Sequence, residues 1–393
     1  MRKPFFSIVL PTKDRAFLLK PLIESILTQD FRDFEFIVVD NSDNNEIQDL
    51  LSQFNEITNF RTGGLNMADN WDKAISLAQG KFMILISDKI LLKKGALKYL
   101  HNFHKNSNAQ CVTWGIDIFC DEEKILFKDS SKHQSSKISS DRLMTDILAS
   151  DYPSYDCAPF HCNSSISLKL INDIRSKHGR ISYQLNPDYT LSYQITLSLK
   201  NIYRLNKSLT ILRQKNLEIG YGNGFSFVRK TETAKQFMKD NNDWIIRTGE
   251  IQEIPIHGNH FIIDIMLKDL YEILKIFKIN PDKYLNLQDR ILFYYLRTLD
   301  EIYWRISMGV DMSNEILLWN DSLKTQTNEI QQKVKKYKYS RRYRNARIHF
   351  NNFIKSIPVV SILIIAIRDF LKKLNGKKFN SIQKLLHETK IEA

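Results

Sequence analysis

Four cysteines in 393 residues (Cys111, Cys120, Cys157, Cys162) are too few to staple a chain of this size. They point to a reducing compartment. Cys157 and Cys162 flank His161, but the spacing matches no standard finger and no fourth ligand is evident, so they read as ordinary thiols. No run of 18 apolar residues is present, which excludes a simple bilayer-spanning helix. No internal repeat is visible. The basic start, Met1-Arg2-Lys3-Pro4, precedes an apolar run that is short, contains Ser7 and ends at Pro11. That run reads as a first strand rather than a signal peptide. Charge of one sign is also lacking over most of the chain. Residues 1–332 hold 41 basic and 41 acidic residues, whereas 333–393 carry 16 Lys and Arg against 3 acidic residues. The net charge of +13 therefore belongs to the tail, and so does any argument for an acidic partner.

What is present first is a strand–helix–strand unit. Ser7-Ile8-Val9-Leu10-Pro11-Thr12 and Phe34-Glu35-Phe36-Ile37-Val38-Val39-Asp40 are apolar β-branched runs that stop at turn-forming residues. Leu18 to Leu27 between them repeats its apolar residues at helical spacing. Two parallel strands then end on one sheet edge, where α/β proteins bind ligands, often nucleotides. Asp40 closes the second strand and can accept hydrogen bonds from a base or ribose; as a plain surface aspartate in a turn it would do nothing. Further on, Asn70–Ala78 reads as a helix, Phe82–Ile86 as a buried strand closed by Ser87-Asp88, and Gly95–Phe103 as a helix. Val112–Phe119 alternates like a strand, Lys128–Ser140 reads as a mobile loop and Asn201–Leu212 as a strand pair. From about Thr231 to Trp319 the pattern is helical. The fold class is therefore α/β over 1–230, with a helical extension over 231–330 and a basic, amphipathic tail over 331–393.

Three carboxylates stand where transfer of a sugar from a diphosphate leaving group needs them. Asp40 and Asp88 end strands, and Asp188 lies in Asn186-Pro187-Asp188-Tyr189 ahead of a helical stretch. A carboxylate within reach of an acceptor hydroxyl suffices as a base; for Asp188 the competing role is helix capping.

Ser7 to Arg15 and Phe36 to Asp43 resemble the opening of family 2 glycosyltransferases. Asn66-Met67-Ala68-Asp69-Asn70-Trp71, Ala74 and Ala78-Gln79-Gly80-Lys81-Phe82 resemble their next block, and Phe82–Leu97 the strand and helix around their metal-binding acidic motif. The resemblance covers roughly residues 5–215. It implies the GT-A fold, a mostly parallel sheet flanked by helices, and inverting in-line transfer from a nucleotide-activated sugar, most simply a UDP-sugar. By position it implies that Pro11, Thr12 and Arg15 line the nucleotide pocket, that Asp40 holds the base, and that Asn66 and Asn70 belong to the donor side. Asp88 would face the ribose or a divalent cation (Mg²⁺ or Mn²⁺), and Asp188 would be the catalytic base. The family often has an acidic pair there, where this chain has Pro187. At the metal motif Asp88 is followed by Lys89 and Ile90 rather than further carboxylates. Either one carboxylate anchors a cation weakly, or Lys89 itself neutralises the diphosphate. A late histidine reaches the metal or diphosphate in some relatives, which makes His257, near His260, a second candidate ligand. Tyr221-Gly222-Asn223-Gly224 is a loop able to close over the donor.

The tail combines Lys333–Arg344, basic with interleaved tyrosines, with an eleven-residue run, Ile357–Ile367, apolar except for Pro358 and Ser361. As a helix that run is about 16 Å long, roughly half a hydrocarbon core. Apolar residues bracketed by Lys and Arg suit an anionic membrane surface; the alternative is a helix docked on the protein's own body. Tyrosines among basic residues also suit nucleic acid, but a lipid surface accounts for both halves of the tail, so no nucleic-acid partner is expected. Together these features lead to an expectation of a cytoplasmic enzyme, peripheral on the inner face of the membrane. Its acceptor would be a glycan or lipid-linked glycan in surface polysaccharide assembly (capsule, O-antigen or lipooligosaccharide). A non-catalytic sugar-nucleotide-binding relative is the alternative.

Overall fold

The computed structural model describes residues 3–129, 135–149, 157–183, 186–215, 227–228, 230–232, 235, 251, 253–339 and 376–391. The loop at 221–224 and the apolar run at 357–367 lie outside the described residues. The first half alternates strand and helix: β1 (Phe6–Thr12), α1 (Ala16–Leu27), β2 (Phe34–Asp40), α2 (Glu46–Leu51), β3 (Ile57–Arg61), α3 (Met67–Ser76) and β4 (Phe82–Leu85). These four strands are parallel, in the order β3-β2-β1-β4, and Thr12 pairs with Asp40 at the carboxyl edge.

Both faces of β1, β2 and β4 are covered, which explains why these strands are continuous apolar runs rather than alternating ones, whereas β3 at the edge is polar and mostly exposed. Phe6, Ile8, Leu10, Phe36 and Val38 point to one core with α1, α2 and α4 (Ala96–Lys105). Val9, Ile37, Val39, Met83 and Leu85 point to the other, with α3, α5 (Ser140–Leu148), α6 (Leu168–His178) and α7 (Pro187–Ser198).

The sheet then becomes mixed. β4 pairs antiparallel with β9 (Ser164–Ser167), which pairs antiparallel with β6 (Cys111–Cys120). β10 (Asn201–Gln214) lies parallel to β6 and antiparallel to β5 (Ile90–Leu92) and β8 (Ser136–Ser139). The stretch expected to be a strand pair is thus one long strand, β10. Its irregularity around Ser208, where the register against β6 shifts, mimics a turn in the sequence. Part of the expected loop at 128–140 is β8, paired with β10 and leading directly into α5.

The helices α8 (Ile262–Ile276), α9 (Leu287–Ser307), α10 (Ser313–Lys324) and α11 (328–339) follow. Their buried residues, among them Leu270, Tyr295, Trp319 and Val334, belong to the same core as α7 and one sheet face. The last described segment returns to the sheet. β11 (Lys377–Lys378) pairs with β7 (Ile125–Phe127), Phe379 packs against Phe119, and α12 (Ile382–Glu388) buries Leu385. Among the described residues no helix is long and apolar enough to cross a membrane.

Candidate active site

The strand ends bring the sequence candidates together in two groups. In the first, Thr12 leaves β1 beside Asp88, which follows β4. Thr12 Oγ1 donates to Asp88 Oδ2 at 3.4 Å, and Arg15 Nη1 lies 3.2 Å from Asp88 Oδ1. Asp88 is buried, and Arg15 keeps 28% of its side chain exposed. Pro11 is buried one residue before Thr12 and pairs with Val39. The β1 and β2 loops are tied to each other: Asp14, in the left-handed region at φ 54°, donates its N–H to Ser42 Oγ at 2.8 Å.

Asp40 is fully buried, and its carboxylate is satisfied from within the fold. Oδ1 accepts from the Ser42 N–H at 2.9 Å and Oδ2 from Gln48 Nε2 at 2.7 Å. Asn66 and Asn70 carry structure. Asn66 caps α3 by accepting the Asp69 N–H at 2.9 Å. Asn70 is buried and accepts the Thr62 hydroxyl at 2.9 Å.

The second group centres on Asp188 in the first turn of α7, after Pro187 at a helix-start position that suits it. Asn186 is the residue preceding the helix, and its side chain makes no cap; its Nδ2 donates instead to Asp269 Oδ2 of α8 at 3.0 Å. Asp188 is partly buried, with 23% of its side chain exposed, and His161 Nδ1 lies 3.4 Å from its Oδ2. Burial pushes the Asp188 carboxyl up, but the hydrogen bond and charge of His161, the Tyr189 N–H and the positive charge of Lys89 outweigh it. The group therefore sits below its ordinary range. The influence of Lys89 links the β4–β5 turn to Asp188. That turn is pinned by β10, where the Arg213 N–H donates to the Lys89 carbonyl at 2.8 Å. Asp269, fully buried, is pushed well above the carboxylate range by burial, against the Asn186 hydrogen bond and with Glu272 and Asp188 adding to the rise.

The residues do not make a protein-built cation cage. Asp88 supplies one carboxylate, already engaged by Arg15 and Thr12, and the next side chain is a lysine. His257 is exposed on the loop entering α8, where Lys268 Nζ holds the Gly258 carbonyl at 2.9 Å and the Asn259 side chain at 2.7 Å. Among the described residues no group of three or more His, Cys, Asp or Glu converges as a metal site.

Sequence reasoning missed His161 as a partner of Asp188. The two are 27 positions apart in the chain, on a loop and a helix start, and no spacing pattern connects them. Trp71 of α3, whose ring meets the His161 ring edge-on at 5.3 Å, was legible only as part of a motif block.

Residues 7–165 match the model of glycosyl transferase family 2. An uncharacterized glycosyltransferase of Methanocaldococcus jannaschii is 35% identical over 140 residues, 33% of this chain and 47% of that protein. The Campylobacter jejuni GalNAc(5)-diNAcBac-PP-undecaprenol beta-1,3-glucosyltransferase is 32% identical over 103 residues, 25% of this chain and 33% of that protein. The match thus spans less than half the length of either curated relative. Among solved structures, S. aureus TarS 1-349 in complex with UDP-GlcNAc is similar with a TM-score of 0.47 at 14% identity, covering 78% of this chain and 92% of that one.

Proposed function

From the match of residues 7–165 to the model of glycosyl transferase family 2, we infer that this chain moves a sugar from a nucleotide diphosphate to an acceptor hydroxyl with inversion. The observation that carries this reading is Asp188, a partly exposed carboxylate under the charge of Lys89. Lys89 directly follows Asp88, which is bound to Thr12 and Arg15 of the β1–α1 turn. Proton acceptor and donor-side residues are thereby linked through one turn.

Pro11, Thr12, Arg15, Asp88 and Lys89 hold the ribose and diphosphate of a UDP-sugar, with Lys89 partly replacing a cation at the leaving group. Asp40 meets the base, whose N–H takes the place of Gln48 on Oδ2. Asn66 and Asn70 act at one remove, by fixing the start of α3 beside this pocket. At the acceptor, Asp188 marks the site that receives the hydroxyl proton. The new bond forms at the anomeric carbon as the bond to the diphosphate oxygen breaks, and that oxygen leaves with the electron pair as UDP.

The acceptor we assign is a lipid-linked glycan of surface polysaccharide assembly, at the cytoplasmic face of the membrane. The name of the Campylobacter relative, which acts on an undecaprenol-linked glycan, supports it, as does the basic segment 331–393 with its apolar run. Exposed Trp304 and Ile306 of α9 and Leu317 and Leu318 of α10 add apolar surface.

Transfer assayed as UDP release from a panel of UDP-sugars, with undecaprenyl-diphosphate-linked acceptors, tests the reaction. Asp188→Asn should lower the rate by about 10²–10⁴-fold with UDP affinity unchanged. A wild-type rate in that variant refutes the base site. UDP binding without turnover by the wild type across the panel favours the non-catalytic relative.

A further inference from the structure

We propose that His161 and Asp188 act as a dyad, in which His161 Nε2 takes the acceptor proton and Asp188 holds the ring by Nδ1. This rests on the placement of the proton-accepting site at Asp188 and changes which atom receives the proton.

Three observations carry it. His161 Nδ1 faces Asp188 Oδ2 at 3.4 Å. That nitrogen is closed off from solvent and has no closer hydrogen-bond partner among the described residues, so the nearby carboxylate is the group it can pair with. The exposed 13% of the His161 side chain therefore excludes Nδ1 and lies elsewhere on the residue. Trp71 meets the ring edge-on at 70°, which restricts its rotation.

The chemistry favours the same division of labour. The best general base titrates near the working pH, which an imidazole ordinarily does. Asp188 is held below the carboxylate range and is correspondingly reluctant to keep a proton. A carboxylate on Nδ1–H, with Nε2 left to accept, is the arrangement that orients a histidine base in other active sites. The groups facing the pair are Lys89 from the β4–β5 turn, the Tyr189 N–H of α7 and Asp269 of α8. Lys89 and the Tyr189 N–H favour an ionised Asp188.

The step balances without a co-reactant. The acceptor O–H bond breaks and its proton moves to Nε2. The oxygen forms its bond to the anomeric carbon, and the bond from that carbon to the diphosphate breaks with its electron pair going to the departing UDP. The imidazolium, paired with Asp188, releases its proton to water after the products leave.

The test uses the full chain and two independent readouts. In ¹⁵N spectra of ring-labelled histidine, neutral His161 should be the Nδ1–H tautomer in the wild type and should lose that preference in Asp188→Asn. In the UDP-release assay, His161→Gln should lose at least 100-fold in rate with UDP affinity and melting temperature unchanged. Its acidic limb should move to lower pH, because the remaining base is a carboxylate, which ordinarily titrates below an imidazole. His161→Ala should regain rate with added imidazole. A His161→Gln rate within threefold of wild type, alongside an inactive Asp188→Asn, overturns the dyad and leaves Asp188 as sole base. An active Asp188→Asn overturns both. If His161→Gln does not fold, or no donor in the panel turns over, the wild-type tautomer decides, and Nε2–H overturns the proposal.

Discussion

Asp264 makes the entry to α8 a pH-dependent joint. Its Oδ2 accepts the N–H groups of His260 and Phe261, both at 2.8 Å, and its Oδ1 accepts the Tyr294 hydroxyl at 2.8 Å. The residue is fully buried, and burial is the main cause that lifts its carboxyl to about 7, with the nearby Glu301 adding to the rise against these hydrogen bonds. The folded state therefore holds a proton that the unfolded chain, near the ordinary 3.8, has already lost. Stability from this group is complete below about pH 4 and is lost as pH rises through 7. The difference of about 3 pH units corresponds to about 4 kcal/mol at about 1.4 kcal/mol per unit. Asp264→Asn keeps the shape and stays neutral. Its amide oxygen can take both backbone N–H groups while its NH₂ donates to Tyr294. Urea unfolding of both proteins at pH 5, 6, 7 and 8, followed by circular dichroism, should show the variant gaining on the wild type by about 2 kcal/mol between pH 5 and 7, then levelling off. An unchanged difference between pH 5 and 8 refutes the reasoning, because a group already ionised in the folded state gives no such slope.

Two further perturbations probe the sheet and the donor end. A Cβ at Gly80 would lie 2.8 Å from the Ser7 nitrogen and 2.9 Å from the Phe6 carbonyl carbon, both backbone atoms of β1 or its entry. Gly80→Ala should therefore cost about 1–3 kcal/mol, read as a lower urea midpoint with an unchanged slope; an unchanged midpoint shows that the strand entry yields freely. Lys89→Ala should weaken UDP binding in EDTA by about 10–100-fold in titration calorimetry, the loss of one charged contact. Equal affinity in wild type and variant means that Lys89 does not face the diphosphate.

The sheet was legible because its strands are buried on both faces. β1, β2 and β4 read as unbroken apolar runs that end at Thr12, Asp40 and Ser87-Asp88, and those ends meet as the pattern required. What pattern could not supply is how polar groups satisfy one another. Asp40 reads as a free ligand residue, yet Gln48, eight positions on, already occupies one oxygen. Asn66-x-x-Asp69 carries a capping signature as well as a family motif, and the cap is what the geometry shows. The contact of His161 with Asp188 depends on a loop and a helix start brought together by tertiary packing, for which sequence has no period. In β10 the register shift at Ser208 made one strand look like two.

The same packing constrains how the tail segment can act. Before it, α11 is fixed to the helical region: Val334 is buried and the Tyr337 hydroxyl donates to Asp300 at 2.9 Å. After it, Phe379 is buried with its N–H on the Lys124 carbonyl at 2.7 Å, and the Ile391 N–H reaches the Lys94 carbonyl at 2.7 Å. Residues 340–375 thus leave one anchored point and return to another. A lipid contact made by their apolar run would hold the domain at two attachments rather than by a single flexible tether. The edge that carries Asp88 and Asp188 belongs to the same packed body as those two anchors. Lipid binding through this segment would therefore tie the body that carries Asp88 and Asp188 to the surface through both anchors, which bears on the lipid-linked acceptor proposed above.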